Sequence, residues 1–212
     1  SVYLEYIILM LYFYLKIMNI YYIIIMNKDS IIEKIFIYYE QYGDKDYIGE
    51  SITQTEHMIQ SAMLAEKDNQ SKEVILACLF HDIGHLIQLE CGQTKKMGKY
   101  GIKNHEKIGK QFLEDCGVPY PIPNLVENHV KAKRYLTYKY IDYILNLSDA
   151  SKKTLEMQGG PMKVDEAEIF ESSELFDISI KMRDYDDKAK VEGVQINNID
   201  YYKDILKQVL SK

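Results

Sequence analysis

Long basic runs, paired cysteines and alternating apolar strands are all missing from this 212-residue chain, and each absence closes off a class of function. Without a Lys/Arg-rich stretch, and with a formal net charge of -6, there is no electrostatic footprint for nucleic acid, so a small-molecule partner is expected. Cys78, Cys91 and Cys116 are odd in number and form no C-x-x-C pair, which argues against a disulfide framework or a thiolate metal site. Cys78 lies inside an apolar run, where a thiol behaves as a small hydrophobe, and the set suits a reduced, cytoplasmic protein. With no persuasive alternation of apolar and polar residues, the fold class expected is all-α. The balance of 47% hydrophobic to 27% charged residues is that of a globular chain, and the length suits one domain.

Residues 1–26 are nearly all Ile, Tyr, Leu and Met, a stretch long enough to span a membrane. Glu5, Lys16 and Asn19 interrupt it, and neither a basic leader nor a small-residue cleavage site accompanies it. Met26-Asn27-Lys28-Asp29-Ser30 reads as a natural start with helix-capping residues. Residues 1–25 are therefore expected to be an apolar extension from an over-long gene model, with a membrane anchor as the alternative; residues 26–212 form the domain.

Apolar spacing at Ile31, Ile32, Ile35, Phe36 and Tyr39 predicts a helix from Asp29 to Tyr42, stopped by Gly43. Thr53-x-x-Glu56 is a capping-box pattern opening a helix to about Asp68. Ser71 starts a third, whose body Val74 to Phe80 is apolar all round and so should be the buried centre. Gly84 is expected to turn the chain into a polar loop reaching Asn104, which caps a helix from His105 to Cys116. Pro119, Pro121 and Pro123 make a stiff connection to a helix from Asn124 to Leu136. Further helices are predicted near Tyr138–Leu147, Asp149–Met157, Leu175–Val191 and Ile199–Leu210, with Gly159-Gly160-Pro161 as a structural turn.

All five histidines, His57, His81, His85, His105 and His129, fall between residues 57 and 129. Singly, each is more readily a satisfied core residue than a ligand; together with Asp82 they suit a divalent iron, manganese or zinc site on rigid helices. His81 and Asp82 point ~100° apart on a helix and so cannot chelate one metal as an i, i+4 pair would. A carboxylate has two oxygens, however, so Asp82 can bridge two ions while His81 serves one. His57 and a late carboxylate would complete the first ion's shell, and His105 with His129 would hold the second.

His57, the dyad His81-Asp82 and a later aspartate resemble the HD superfamily, and His81-Asp82-Ile83-Gly84-His85 is a form its members often show. Further stretches narrow the choice: Tyr47-Ile48-Gly49-Glu50 ahead of Thr53-Gln54-Thr55-Glu56-His57, Asn104-His105-Glu106, the run His129 to Leu136, Leu147-Ser148-Asp149-Ala150-Ser151, Gln158-Gly159-Gly160-Pro161-Met162 and the run Arg183 to Lys190. In this order they resemble the HD-domain mixed-valence diiron oxygenases that cleave organophosphonates, over about Tyr47 to Val191. That resemblance implies an HD-domain helical bundle with a dinuclear metal site in its core. It also implies two iron ions, Fe(II) and Fe(III), one held by His57, His81, Asp82 and Asp186 and the other by Asp82, His105 and His129. Asp187 stands beside Asp186, and the sequence leaves the choice between them open.

A phosphonate is a small dianion, so its pocket must supply cations and donors. Lys133 lies four residues after His129 and shares its helical face; a solvated lysine is the alternative. The resemblance implies that Lys133, His85 and Ser151 meet the phosphonate, that Tyr47 occupies an iron's open position until substrate displaces it, and that Glu50 meets the substrate's amino end. A solvent-exposed loop is the alternative for Tyr47 and Glu50. Lys190, four residues after Asp186, is expected to orient that carboxylate, while Arg183 is open between a pocket charge and a salt bridge.

The activity implied is cleavage of the carbon–phosphorus bond of a 1-hydroxy-2-aminoethylphosphonate, or its N-methylated analogue, with O2, giving glycine or glycine betaine and phosphate. An HD-type metal-dependent phosphohydrolase is the alternative, since two ions can also activate water. A non-catalytic metal-binding module is a third reading, weakened by the complete ligand set.

Overall fold

The computed structural model describes residues 27–47, 51–90 and 104–212, together with Met10, Tyr14, Lys16 and Met18. Glu50 and nearly all of the apolar extension lie outside the described residues. The described chain is helical throughout, with no strand beyond an isolated Asp46–Thr53 bridge. No helix among the described residues is long and apolar enough to cross a membrane.

The first helix, α1, covers 27–42 and buries Ile32, Ile35, Phe36 and Tyr39. α2 (Gln54–Lys67) opens as expected: Glu56 N donates to Thr53 Oγ1 at 3.1 Å, and Thr53 N donates to Glu56 Oε2 at 2.7 Å. α3 (Lys72–Phe80), capped by Ser71, is the centre, with every side chain from Val74 to Phe80 buried. Burying each of its large aliphatic and aromatic side chains contributes about 1.5–3 kcal/mol. α2, α6 (Ile122–Lys139), α10 (Phe176–Lys188) and α11 (Ile199–Val209) pack around it.

The loop expected after Gly84 is instead helical as far as Glu90: α4 (Ile83–Glu90) follows His81-Asp82 almost without a break. Gly84 has no positive φ. It is small because α4 lies against the start of α5 (His105–Asp115), where a Cβ on Gly84 would stand 2.0 Å from the His105 carbonyl oxygen. Asn104 does precede α5, but in the left-handed region, and its side chain makes no capping hydrogen bond. The α6 helix begins two residues earlier than expected, because Pro123, which has no N–H, is tolerated in a first turn where N–H groups have no intrahelical partner.

The short α7 (Ile141–Asn146) and α8 (Asp149–Met157) match the expected segments, and the turn at Gly159-Gly160 has φ values of 103° and 70°. α9 (Val164–Glu171) was not anticipated. It is pinned by Arg134, whose guanidinium donates to both Glu166 oxygens at 2.9 Å, and it completes a small second core with Ala132, Tyr135, Met162 and Phe170.

Candidate metal centre

Helix packing brings together side chains far apart in sequence. α2 supplies His57, the α3–α4 junction His81 and Asp82, α4 His85, the first turn of α5 His105, α6 His129 and α10 Asp186. All but His85 are buried. The two oxygens of Asp82 face different neighbours. Oδ2 lies 3.5 Å from His81 Nε2 and 3.8 Å from His57 Nε2, whereas Oδ1 lies 3.1 Å from His105 Nε2, 3.6 Å from His129 Nε2 and 3.8 Å from His85 Nε2. Asp186 Oδ1 joins the first group, 3.2 Å from His57 Nε2 and 3.7 Å from His81 Nε2.

Backbone carbonyls decide which ring nitrogens carry hydrogen. His57 Nδ1 faces Ala189 O at 2.8 Å, His81 Nδ1 faces Cys78 O at 2.7 Å and His129 Nδ1 faces Val126 O at 2.5 Å. A carbonyl accepts only, so in the neutral rings Nδ1 is the donor and each Nε2 presents a lone pair inward. Yet His57 Nε2 and His81 Nε2 stand 3.0 Å apart, as do His105 Nε2 and His129 Nε2. Lone pairs that close repel unless a proton or a metal ion lies between or beside them.

The charges agree. Burial opposes ionisation of both carboxyls. Even so, His81 and His105 facing Asp82, and Arg183 and His81 facing Asp186, hold each well below the usual carboxylate range. Burial disfavours an imidazolium at His81 as well, but Asp82 and Asp186 outweigh it and lift its pKa to about 9. The cluster thus seeks positive charge. Imidazole nitrogens and carboxylate oxygens gathered on both sides of Asp82 fit a metal site. His57, His81 and Asp186 group tightly, with a second grouping of Asp82, His85 and His105. His129 stands beside this second grouping, buried with Nδ1 facing a carbonyl and Nε2 3.6 Å from Asp82 Oδ1, while His85 is partly exposed and stacks on His105 at 4.0 Å between centroids.

The HD domain family model matches residues 55–170. Over 192 residues the chain is 32% identical to the 1-hydroxy-2-(trimethylamino)ethylphosphonate dioxygenase (glycine-betaine-forming) of Leisingera caerulea, covering 88% of this chain and 94% of that protein. It is 33% identical over 174 residues to the hydroxymethylphosphonate dioxygenase of Gimesia maris, covering 81% and 84%. This chain belongs to the HD-domain phosphonate dioxygenases. It is therefore an enzyme of the dioxygenase class. It is also 47% identical over 189 residues, 89% of this chain and 84% of the relative, to the uncharacterized protein L432 of Acanthamoeba polyphaga mimivirus.

Within this HD-domain dioxygenase, Tyr47, His85, Lys133 and Ser151 are the described residues among those expected to meet substrate. Lys133, one turn after His129 on α6, is 3% exposed and donates to Thr154 Oγ1 at 2.8 Å. Burial, with Arg183 nearby, pulls its ammonium down to about 7, so the solvated-face alternative does not hold. Ser151, buried in the first turn of α8, lies three residues before Thr154 on the same helical side. Tyr47 is fixed beside α2 by its N–H to Ile52 O at 2.8 Å, and its ring stacks on His57 at 4.0 Å between centroids.

The geometry bears on Arg183 and Asp187, both left open, and changes the expectation for Lys190. Arg183, left open before, forms buried salt bridges: it donates to Asp186 Oδ2 at 2.6 Å and pairs with Asp187. Asp187 in turn accepts from Tyr143 at 2.5 Å, so of the two adjacent aspartates it is Asp186 whose free oxygen faces the histidines. Lys190 does not orient Asp186, because α10 ends at Lys188 and the i, i+4 register is broken; its ammonium stands 5.8 Å from the Tyr47 ring. Thr154 was missed, although its i+3 spacing from Ser151 was a usable signal.

Proposed function

We propose that this enzyme cleaves the carbon–phosphorus bond of a 1-hydroxy-2-aminoethylphosphonate, or its N-methylated analogue, with dioxygen, releasing glycine or glycine betaine and phosphate. The observation that carries the reading is the division of donors around Asp82, one oxygen toward His81 and the other toward His105. In this reading His57, His81, Asp82 and Asp186 hold one iron, and Asp82, His105 and His129 the other. A mixed-valence Fe(II)/Fe(III) pair there would supply the one-electron chemistry with dioxygen that side chains lack.

The remaining work belongs to the chain. Arg183 occupies Asp186 Oδ2 and leaves Oδ1 to the histidines, which fixes the carboxylate's direction. Lys133, with Ser151 and His85, receives the phosphonate. An ammonium held near 7 by burial gains its proton firmly when a dianion arrives, so substrate and lysine charge stabilise each other. Tyr47 shields the His57 side of the centre until substrate enters, and Glu50 meets an ammonium at the substrate's far end. Both named relatives act on phosphonates with a hydroxyl on the carbon bonded to phosphorus, but their far ends differ, a trimethylamino group against none. The shared head group supports the reading of Lys133, and the nitrogen end is where this chain's preference would be set.

The test is phosphate release by iron-loaded protein from 1-hydroxy-2-aminoethylphosphonate, its trimethylammonio analogue and hydroxymethylphosphonate, under air and under nitrogen. Release from one of the first two in air alone supports the proposal. Release that is equal without oxygen indicates hydrolysis and overturns it.

A further inference from the structure

Three histidines of the centre have Nδ1 fixed by a backbone carbonyl, but those carbonyls differ in origin. His81 uses Cys78 O and His129 uses Val126 O, each three residues back along its own stretch of chain, so ring and acceptor move together. His57 instead uses Ala189 O at 2.8 Å, 132 residues further along. Its tautomer therefore depends on how the chain leaves α10. That helix ends at Lys188, and a ψ of 46° at Ala189 swings the carbonyl out of the helical direction. A carbonyl at a helix end has no acceptor role within the helix, so it takes the donor its direction meets.

Gln60 sets that direction from the other side. It is 6% exposed and lies three residues after His57 on α2, hence on the same helical face. Its side-chain amide pairs reciprocally with Val191: Gln60 Nε2 donates to Val191 O at 2.9 Å, and Val191 N donates to Gln60 Oε1 at 3.0 Å. An amide turned end for end would set donor against donor and acceptor against acceptor, so the pair admits one orientation. Residues 189–191 thus form a strap on α2, with Ala189 on His57 and Val191 on Gln60. Between them, Lys190 carries its ammonium to 5.8 Å from the Tyr47 ring, which itself stacks on His57.

We propose that Gln60 is a positioning residue of the metal centre: by holding Val191 it keeps the Ala189 carbonyl on His57 Nδ1, and so keeps the His57 Nε2 lone pair turned toward the metal. Gln60 itself need touch neither metal nor substrate. The inference rests on the reading of His57 as a metal ligand and not on which phosphonate is cleaved.

The test uses full-length protein with isotope-labelled histidine, loaded with zinc, which is diamagnetic. In the parent, the Nδ1–H groups of His57, His81 and His129 should each give a proton signal protected from exchange. Gln60→Met keeps the length of the side chain and loses both hydrogen bonds, so exchange at His57 should rise at least tenfold while His81 and His129 stay as they were. Zinc affinity by chelator competition should fall about ten- to hundredfold. Tyr185→Phe removes a different tie between α10 and the end of α2, the 2.8 Å bond to Asp68, and should move neither quantity. Gln60→Glu keeps the acceptor for Val191 N–H and loses the amide donor; it should show the same changes to a smaller extent, and it decides the matter if the Met variant does not fold. A His57 signal that already exchanges freely in the parent, parent-like exchange or zinc affinity in folded Gln60→Met, equal loss of all three ring signals, or an equal effect in Tyr185→Phe would each overturn the proposal. A parent that binds no zinc would instead remove the role of His57 as a ligand, and the proposed reaction centre with it.

Discussion

Replacing Lys133 by Met separates charge from volume. The side chain is 3% exposed, and its ammonium has one neutral acceptor, Thr154 Oγ1 at 2.8 Å, with burial pulling its pKa to about 7. Removing a buried charge that burial already disfavours relieves a desolvation cost, so Lys133→Met should melt no earlier than the parent. Its effect should fall on substrate. A charge-assisted contact contributes about 1.5–3 kcal/mol, so kcat/KM for the phosphonate should drop about ten- to hundredfold with metal content unchanged. The pH profile gives an independent check. Lysine's pKa is lowered from 10.5, so the binding-competent ammonium is fully present below about pH 7 and is lost as pH rises through it. Parent kcat/KM should therefore decline above neutrality through this group, and the Met variant should lack that component. Steady-state phosphate release from pH 6 to pH 9 reads both effects. A variant as fast as the parent at subsaturating substrate, with the same alkaline fall, would refute the anion site.

Asp82→Asn should retain at most one tightly bound metal by elemental analysis, since an amide offers one neutral oxygen where the two donor groups face two anionic ones; two ions per chain would contradict bridging. Asp186→Asn should lose metal while Asp187→Asn keeps both ions, because only the former faces His57 and His81; the reverse order would exchange their roles. Gly84→Ala should lower stability by about 1–3 kcal/mol and loosen metal binding at His105, since its Cβ meets the His105 carbonyl oxygen at 2.0 Å. An unchanged thermal midpoint would show that α5 shifts freely.

The helices with their own end signals were legible in the sequence: Thr53 with Glu56 and Ser71 cap α2 and α3 as read, and the apolar run after Ser71 is the buried centre. The polar cluster was legible for a different reason: four of the five histidines are buried with Asp82, too many polar groups to bury for packing alone. What failed depended on contacts between distant segments. Gly84 read as a turn because its demand comes from the His105 backbone across the helix pair, which local pattern does not reveal. α9 was hidden because it buries only Ala167 and Phe170, and its anchor, Arg134, lies thirty residues earlier in the chain. Asp186 and Asp187 are chemically identical in sequence, and only the seating of Arg183 and Tyr143 separates them.

Oxygen stoichiometry tests the proposed reaction most directly. Converting 1-hydroxy-2-aminoethylphosphonate and O2 to glycine and phosphate balances with no further oxidant: the carbon–phosphorus bond breaks, the hydroxyl-bearing carbon becomes a carboxyl, and dioxygen is fully reduced into the products. An oxygen electrode and a phosphate assay on the same iron-loaded sample should therefore record one O2 consumed for each phosphate released, with no release once oxygen is exhausted. Phosphate that continues to appear in oxygen-depleted solution would contradict oxidative cleavage by this centre.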